Sequence, residues 1–167
     1  MTVEDRAPTP DASSDGFAAW VEPHLVAMNL LAARLVASAD REDVVQESLV
    51  RAWRRRSTYD ASRGSAASWL LAIVSDQARR RRTRMRPRAV ELDEIDGSVT
   101  DSTRDIDLER AIAQLSHRRR LAVNLHYLVG LDIATCAEVM GCAEGTVKAT
   151  LHQARAQLLE LLDEGSR

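Results

Sequence analysis

The sequence predicts an all-α protein of two helical domains joined by an acidic linker, and three observations carry that expectation. Apolar residues recur every three or four positions through two blocks of the chain, the spacing of one face of a helix. No convincing strand signal occurs anywhere. Between the blocks, "VELDEIDGSVTDSTRDID", residues 90–107, carries seven acids against one arginine and has little apolar periodicity. The expected organisation is a disordered N-terminal tail over 1–16, a first domain over 17–88, a linker over 89–106 and a second domain over 107–163.

In the first block Phe17, Trp20, Val21, Leu25, Met28, Leu31, Ala32 and Leu35 recur at helical spacing, with Pro23 tolerated where a fresh helical segment starts. Asp40 is placed to cap the next helix, with Asp43 three residues on, because acids are favoured at a helix's positive end. In "DREDVVQESLVRAWRRR" Val45, Leu49, Ala52 and Trp53 form one stripe, while Asp43, Gln46, Glu47 and Val50 form another. From spacing alone that second stripe is most simply a solvated polar face. The segment "STYDASRGSAAS" reads as a loop, followed by Trp69, Leu70, Ile73 and Gln77 on a further helix. This helix runs into "ARRRRTRMRPR", residues 78–88, with seven arginines in eleven positions.

The second block opens with Leu108, Ile112 and Leu115 on a short amphipathic helix. Ser116 can cap a second helix holding Leu121, Leu125 and Leu128, and Gly130 sits where a left-handed residue ends it. Asp132 caps a helix of about nine residues, Gly141 supplies a tight turn, and a longer helix buries Val147, Leu151, Ala154, Leu158 and Leu161. That is a helix-turn-helix, whose second helix would enter a DNA major groove. The outward face of that helix presents Glu144, Thr146, Lys148, Ala149, His152 and Arg155. The same pattern also occurs in ordinary helical bundles.

Composition excludes several function classes. A chain of 167 residues with 45% hydrophobic and 29% charged content fits a globular protein rather than a disordered one. No apolar run approaches the length of a membrane span, so no membrane insertion is expected. The polar, acidic first sixteen residues argue against a secretory signal and suggest a frayed tail, which points to the cytoplasm. Cys136 and Cys142 are read as reduced thiols, and neither they nor the scattered His24, His117, His126 and His152 make a metal spacing. Without a Gly-rich phosphate loop or a nucleophile motif, no catalytic residue, metal or cofactor is expected, and the chain is read as not an enzyme. The net charge of -2 conceals segregation, for Arg54 to Arg88 holds eleven arginines against Asp60 and Asp76. Such a cluster favours nucleic acid as a partner over a solvated helix end.

The stretch "DREDVVQESLVRAW" resembles the polymerase-binding helix of bacterial sigma factors of the extracytoplasmic-function (ECF) group, and "LVGLDIATCAEVMGCAEGTVKATLHQARAQL" is similar to their region four. The resemblance covers about residues 17–162 and implies sigma regions two and four in an initiation subunit. Such a subunit binds core RNA polymerase, recognises two promoter elements and helps open the duplex. In that reading Asp43, Gln46 and Glu47 match the surface that docks on the clamp of the largest polymerase subunit. Arg79, Arg80, Arg81, Arg82 and Arg84 then meet phosphates beside the proximal element, and Tyr59, in the loop over 59–68, either captures an unstacked base or is a core residue. Glu144, Thr146, Lys148, His152 and Arg155 face the distal element. An anti-sigma factor is a further partner the resemblance admits. Alanine at Arg80 and Arg81 is expected to reduce the salt slope of DNA binding by about 2.

The sequence departs from the family pattern at several positions. Ser75 and Asp76 stand where an arginine and asparagine pair is usual, and an acid there would repel phosphate. Ala143 replaces the serine expected to cap the recognition helix, and Ala149, Thr150 and Gln153 stand where more polar or basic residues are common. The competing reading is a helix-turn-helix regulator that acts without joining polymerase. Such a regulator has no use for the face of Asp43, Gln46 and Glu47.

Overall fold

The computed structural model describes residues 13–84 and 103–165. Residues 1–12 of the expected tail, residues 89–102 of the expected linker, and Arg86 and Arg88 lie outside the described residues. Every regular element is a helix, and no strand occurs among the described residues. The chain divides between Ala89 and Val90 into two compact units.

In the first unit α1 (Ser14–Val21) starts inside the segment expected as tail. Ser13 explains the early start, because its hydroxyl accepts from the backbone N–H of Gly16 at 3.1 Å and caps the helix. A single 3₁₀ turn, Glu22–His24, carries Pro23 near its first position, where a missing N–H costs no helical bond, and α2 (Leu25–Leu35) follows at once. Helix α3 (Ser38–Arg55) begins two residues before Asp40, the residue expected to cap it, and no side chain caps that end. Asp40 lies within the first turn instead, and its carboxylate is taken by Arg81, as described below. A second 3₁₀ turn, Arg56–Thr58, leads into the loop that precedes α4 (Ala66–Arg84). Ser65 ends that loop by accepting from the Ser68 N–H at 3.1 Å.

Helices α2, α3 and α4 pack on one another. Their shared core is Met28, Leu31, Leu35, Val44, Ala52, Leu70, Leu71, Val74 and Ala78. The one buried hydroxyl on α3, that of Ser48, is satisfied within its own helix by donating to the Val44 carbonyl at 2.6 Å. An aromatic cluster closes one end of this core. Trp20 meets Tyr59 and Trp69 edge-on at centroid distances of 5.2 and 6.0 Å, and Phe17 meets Trp53 at 5.2 Å.

The second unit is built around its last helix. Helix α5 (Thr103–Gln114) and α6 (His117–Val123) are joined at Ser116, which caps α6 by accepting from the Arg119 N–H. Arg120 closes the end of α5 by donating to the carbonyls of Ala113 and Leu115 at 2.7 and 3.1 Å. Helix α6 widens into one π-helical turn, Asn124–Leu128, and Gly130 then reverses the chain at φ +79°. Asp132 caps α7 (Ile133–Met140) by accepting from the Thr135 N–H at 2.7 Å, and Gly141, at φ +61°, ends it. Helix α8 (Glu144–Gly165) packs against α5, α6 and α7. It contributes Val147, Leu151 and Ala154 to a core that includes Leu115, Leu125 and Cys136, while Leu158 and Leu161 stay half-buried.

Candidate docking and nucleic-acid surfaces

Three surfaces carry the candidate residues. The first is the outer face of α3. Val44, Val45, Ser48 and Ala52 turn inward, so the helical period leaves Asp43, Gln46 and Glu47 exposed on the opposite side. Val50 continues the same stripe with half its surface, 49%, in solvent, placing one apolar group beside three hydrogen-bonding ones. Gln46 donates to Glu42 at 3.2 Å, one turn back.

The second surface is the C-terminal half of α4, and the structure divides its arginines into two groups. Asp76 collects the first. Its Oδ1 accepts from Arg79 at 2.6 Å and its Oδ2 from Arg80 at 2.9 Å, while Arg51 of α3 lies 3.6 Å away. Partial burial pushes the Asp76 carboxyl up, but the hydrogen bonds and charges of Arg79 and Arg80 outweigh it and hold the carboxyl below its ordinary range. The residue expected to repel phosphate is thus an internal counter-ion for its arginine neighbours.

Arg81 points the other way. Its Nε and Nη2 both donate to Asp40 Oδ1, at 3.0 and 2.6 Å, and Nη2 also donates to Asp43 Oδ2 at 3.1 Å. The hydrogen bond to Asp40, opposed by desolvation, raises the guanidinium above its already high ordinary value. Its donors thus face the carboxylates of α3, whereas the resemblance implies a phosphate contact for Arg81. Arg82 and Arg84 are exposed at the end of the helix.

Tyr59 takes the place of a core residue. Only 5% of it is exposed; its ring is packed against Trp20 and Trp69, and its hydroxyl donates to the Gly64 carbonyl at 3.4 Å. So enclosed, the ring gives its surface to the aromatic cluster. Asp60, Ser62 and Arg63 are the exposed residues of the loop, which is shaped by Asp60 accepting from the Ser62 N–H and hydroxyl at 2.9 and 2.7 Å.

The third surface is the outward side of α8, where Glu144, Thr146, Lys148, Ala149, His152 and Arg155 are all exposed. Thr150 is not part of it. That residue is buried and donates to the Thr146 carbonyl at 2.7 Å, so its departure from the family pattern concerns packing rather than contact with a partner. Gln153 is engaged by Arg119 at 3.3 Å. Arg155 donates through Nε to the hydroxyl of Tyr127 at 2.6 Å and stands 5.4 Å from the centre of its ring.

Sequence reasoning missed two partners of these surfaces. The spacing of Asp76 to Arg79 and Arg80, three and four residues, is a readable sign of helical ion pairing. Nothing in the sequence pairs Tyr127 with Arg155, because the contact depends on how α6 and α8 cross. Among the described residues no group of three His, Cys, Asp or Glu side chains is arranged to hold a metal, and no helix is long and apolar enough to cross a membrane.

Comparison with known proteins places relatives on both units. Residues 20–88 match the family Sigma-70 region 2, and residues 105–158 match Sigma-70, region 4. The chain is 35% identical to the ECF RNA polymerase sigma factor SigL of Mycobacterium tuberculosis over 159 residues, which cover 88% of this chain and 89% of the relative. It is 34% identical to the ECF RNA polymerase sigma factor SigF of Caulobacter vibrioides over 129 residues, 74% of this chain and 72% of the relative. Among solved structures, the sigma factor RpoE in complex with the anti-sigma factor NepR, from Bartonella quintana, matches at TM-score 0.68 and 26% identity, over 88% of this chain and 96% of that one. CnrH in complex with the cytosolic domain of CnrY shares the fold at TM-score 0.72 and 24% identity, over 96% and 97% of the two chains.

Proposed function

The chain belongs to the ECF RNA polymerase sigma factors, and from that membership we propose how its surfaces divide the work of transcription initiation. The α3 face of Asp43, Gln46 and Glu47 docks on core RNA polymerase. The end of α4, with Arg79, Arg80, Arg82 and Arg84, lies along the phosphates beside the proximal promoter element, where the strands part. The outward side of α8, with Glu144, Thr146, Lys148, His152 and Arg155, enters the major groove at the distal element. The work is binding and strand separation in the cytoplasm, and it requires no catalytic group of this chain.

The observation that carries this reading is that Asp43, Gln46 and Glu47 are all exposed along one face of α3. Polar side chains ordered along one face and backed by a rigid three-helix core suit a docking surface better than a sensor or dimer interface, for which apolar groups would be expected. A regulator acting without polymerase is disfavoured for the same reason. The relative RpoE was solved with the anti-sigma factor NepR, which supports an anti-sigma factor as a further partner of this chain.

The experiment is a binding and run-off assay. The full chain added to core polymerase gives a stable complex and transcripts of defined length from a cognate promoter, and alanine at Asp43, Gln46 and Glu47 together abolishes both. DNA binding by the full chain with no affinity for core would instead establish the independent regulator.

A further inference from the structure

We infer that Arg81 is a positioning residue for the polymerase-docking face rather than a DNA contact, a conclusion that rests on the docking role proposed for Asp43. The run from Arg79 to Arg84 reads as one patch, yet its members face different neighbours. Arg79 and Arg80 bond along their own helix to Asp76 and keep 66% and 46% of their side chains in solvent. Arg81 reaches 41 and 38 residues back in the chain to Asp40 and Asp43, and only 25% of its side chain is exposed.

The two acids are not equivalent. Asp40 is the deeper one, at 13% exposure, and receives two of the guanidinium's N–H groups. It therefore anchors Arg81 against α3. Asp43, at 57% exposure, receives a third hydrogen bond from Nη2, which shares that nitrogen with Asp40. A planar guanidinium held at two points has little freedom at the third, so it fixes the rotamer of Asp43 through one oxygen. The other oxygen is left for a partner. The same positive charge offsets Asp40, Asp43 and Glu47, which lie along one helix and would otherwise repel one another. Exchanging these contacts for a phosphate would leave Asp40 partly buried without its counter-ion, which is unfavourable.

The inference is tested with the full chain, core polymerase and promoter DNA, using Arg81→Met, Asp43→Asn and the double variant, each checked for an unaltered thermal midpoint. Asp43→Asn weakens core binding. Arg81→Met weakens it by about tenfold, and the double variant is no weaker than the stronger single one, because both changes remove the same oriented carboxylate. The salt slope of promoter binding, measured with saturating factor, stays unchanged for Arg81→Met. Should Arg81→Met prove unstable, Arg81→Lys keeps the charge and one bond to Asp40 but cannot bridge both acids, and an intermediate loss of core affinity is expected. If Asp43→Asn weakens core binding while Arg81→Met leaves it intact, or the two losses simply multiply, the positioning role is wrong and the docking role of Asp43 stands. A salt slope reduced by about one in Arg81→Met would return the residue to the DNA. If Asp43→Asn leaves core binding unchanged, the docking reading falls first and this inference with it.

Discussion

Asp76 and Arg79 form a contact of 2.6 Å along α4, and the same carboxylate holds Arg80 at 2.9 Å. One acid thus stands between two arginines and the phosphates they are proposed to meet. Asp76→Asn removes the charge while keeping the shape. With Arg79 and Arg80 released, promoter affinity rises at low salt, and the slope of log affinity against log salt becomes steeper by up to about 2. A titration of the holoenzyme against promoter DNA over a range of salt concentrations measures this directly; a slope equal to that of the parent protein would show that the ion pairs leave the two arginines fully available.

The turn of the helix-turn-helix depends on Gly141. Its φ of +61° lies in the left-handed region, and a Cβ placed there would meet nothing within 4 Å, so the cost of a side chain is backbone strain alone. Gly141→Ala therefore destabilises the second unit by about 1 kcal/mol, and Gly141→Asn by less, because asparagine tolerates this conformation. Chemical denaturation followed by circular dichroism separates the two.

Ala143 stands at the start of α8, where its carbonyl accepts from Thr146 and Val147 at 2.9 and 3.2 Å. A methyl group there cannot satisfy a free N–H of the first turn. Ala143→Ser supplies that acceptor and is expected to stabilise the second unit by about 1 kcal/mol, raising its midpoint without altering core binding. An unchanged midpoint would mean that solvent already serves these donors equally well.

The helices were legible in the sequence because their causes are local. Met28, Leu31 and Leu35 point inward because they are spaced at the helical period, and Ser116, Asp132 and Gly141 act on groups within four residues of themselves. The start of α3 was less legible, since Ser38 opens it without any side-chain cap to announce it. Exposure of Asp43, Gln46 and Glu47 follows from the same period that buries Val44 and Ser48. The long-range partners could not be read at all. Asp40 and Arg81 are brought together by the packing of α3 on α4, and Tyr59 is enclosed because Trp20 and Trp69 arrive from two other elements. Charge along a sequence reports how many arginines are near one another, but not which way each one turns.

The two thiols should differ sharply in reactivity. Cys136 is fully buried, and that burial, with the charge of Asp132 adding to it, pushes its thiol up to about 11. At pH 8 only about one molecule in a thousand carries the reactive thiolate there. Cys142 is partly exposed at the turn. A thiol reagent added to the native protein modifies Cys142 first, and Cys136 reacts only on unfolding. Because the raised value belongs to the folded state, the unfolded chain loses its proton first as pH rises, so the second unit loses stability between about pH 9 and 11. Equal rates at the two positions in native buffer would contradict the buried placement of Cys136.

Tyr127 offers a last test, on the distal surface. It sits on the π-helical turn after α6, exposed over 51% of its surface, and its hydroxyl accepts from Arg155 on α8. The bond lies in solvent, so it adds little to stability. What it does is hold the guanidinium at one edge of the proposed recognition face, which lowers the ordering cost of any contact Arg155 makes there. Tyr127→Phe keeps the ring and removes the acceptor. Binding to a cognate promoter is therefore expected to weaken by about two- to fivefold with the thermal midpoint unchanged. Arg155→Ala should weaken binding further, and Tyr127→Phe added to it should have no additional effect, because the hydroxyl acts only through Arg155. Tighter binding in Tyr127→Phe would mean that the tyrosine restrains the arginine from DNA instead of presenting it.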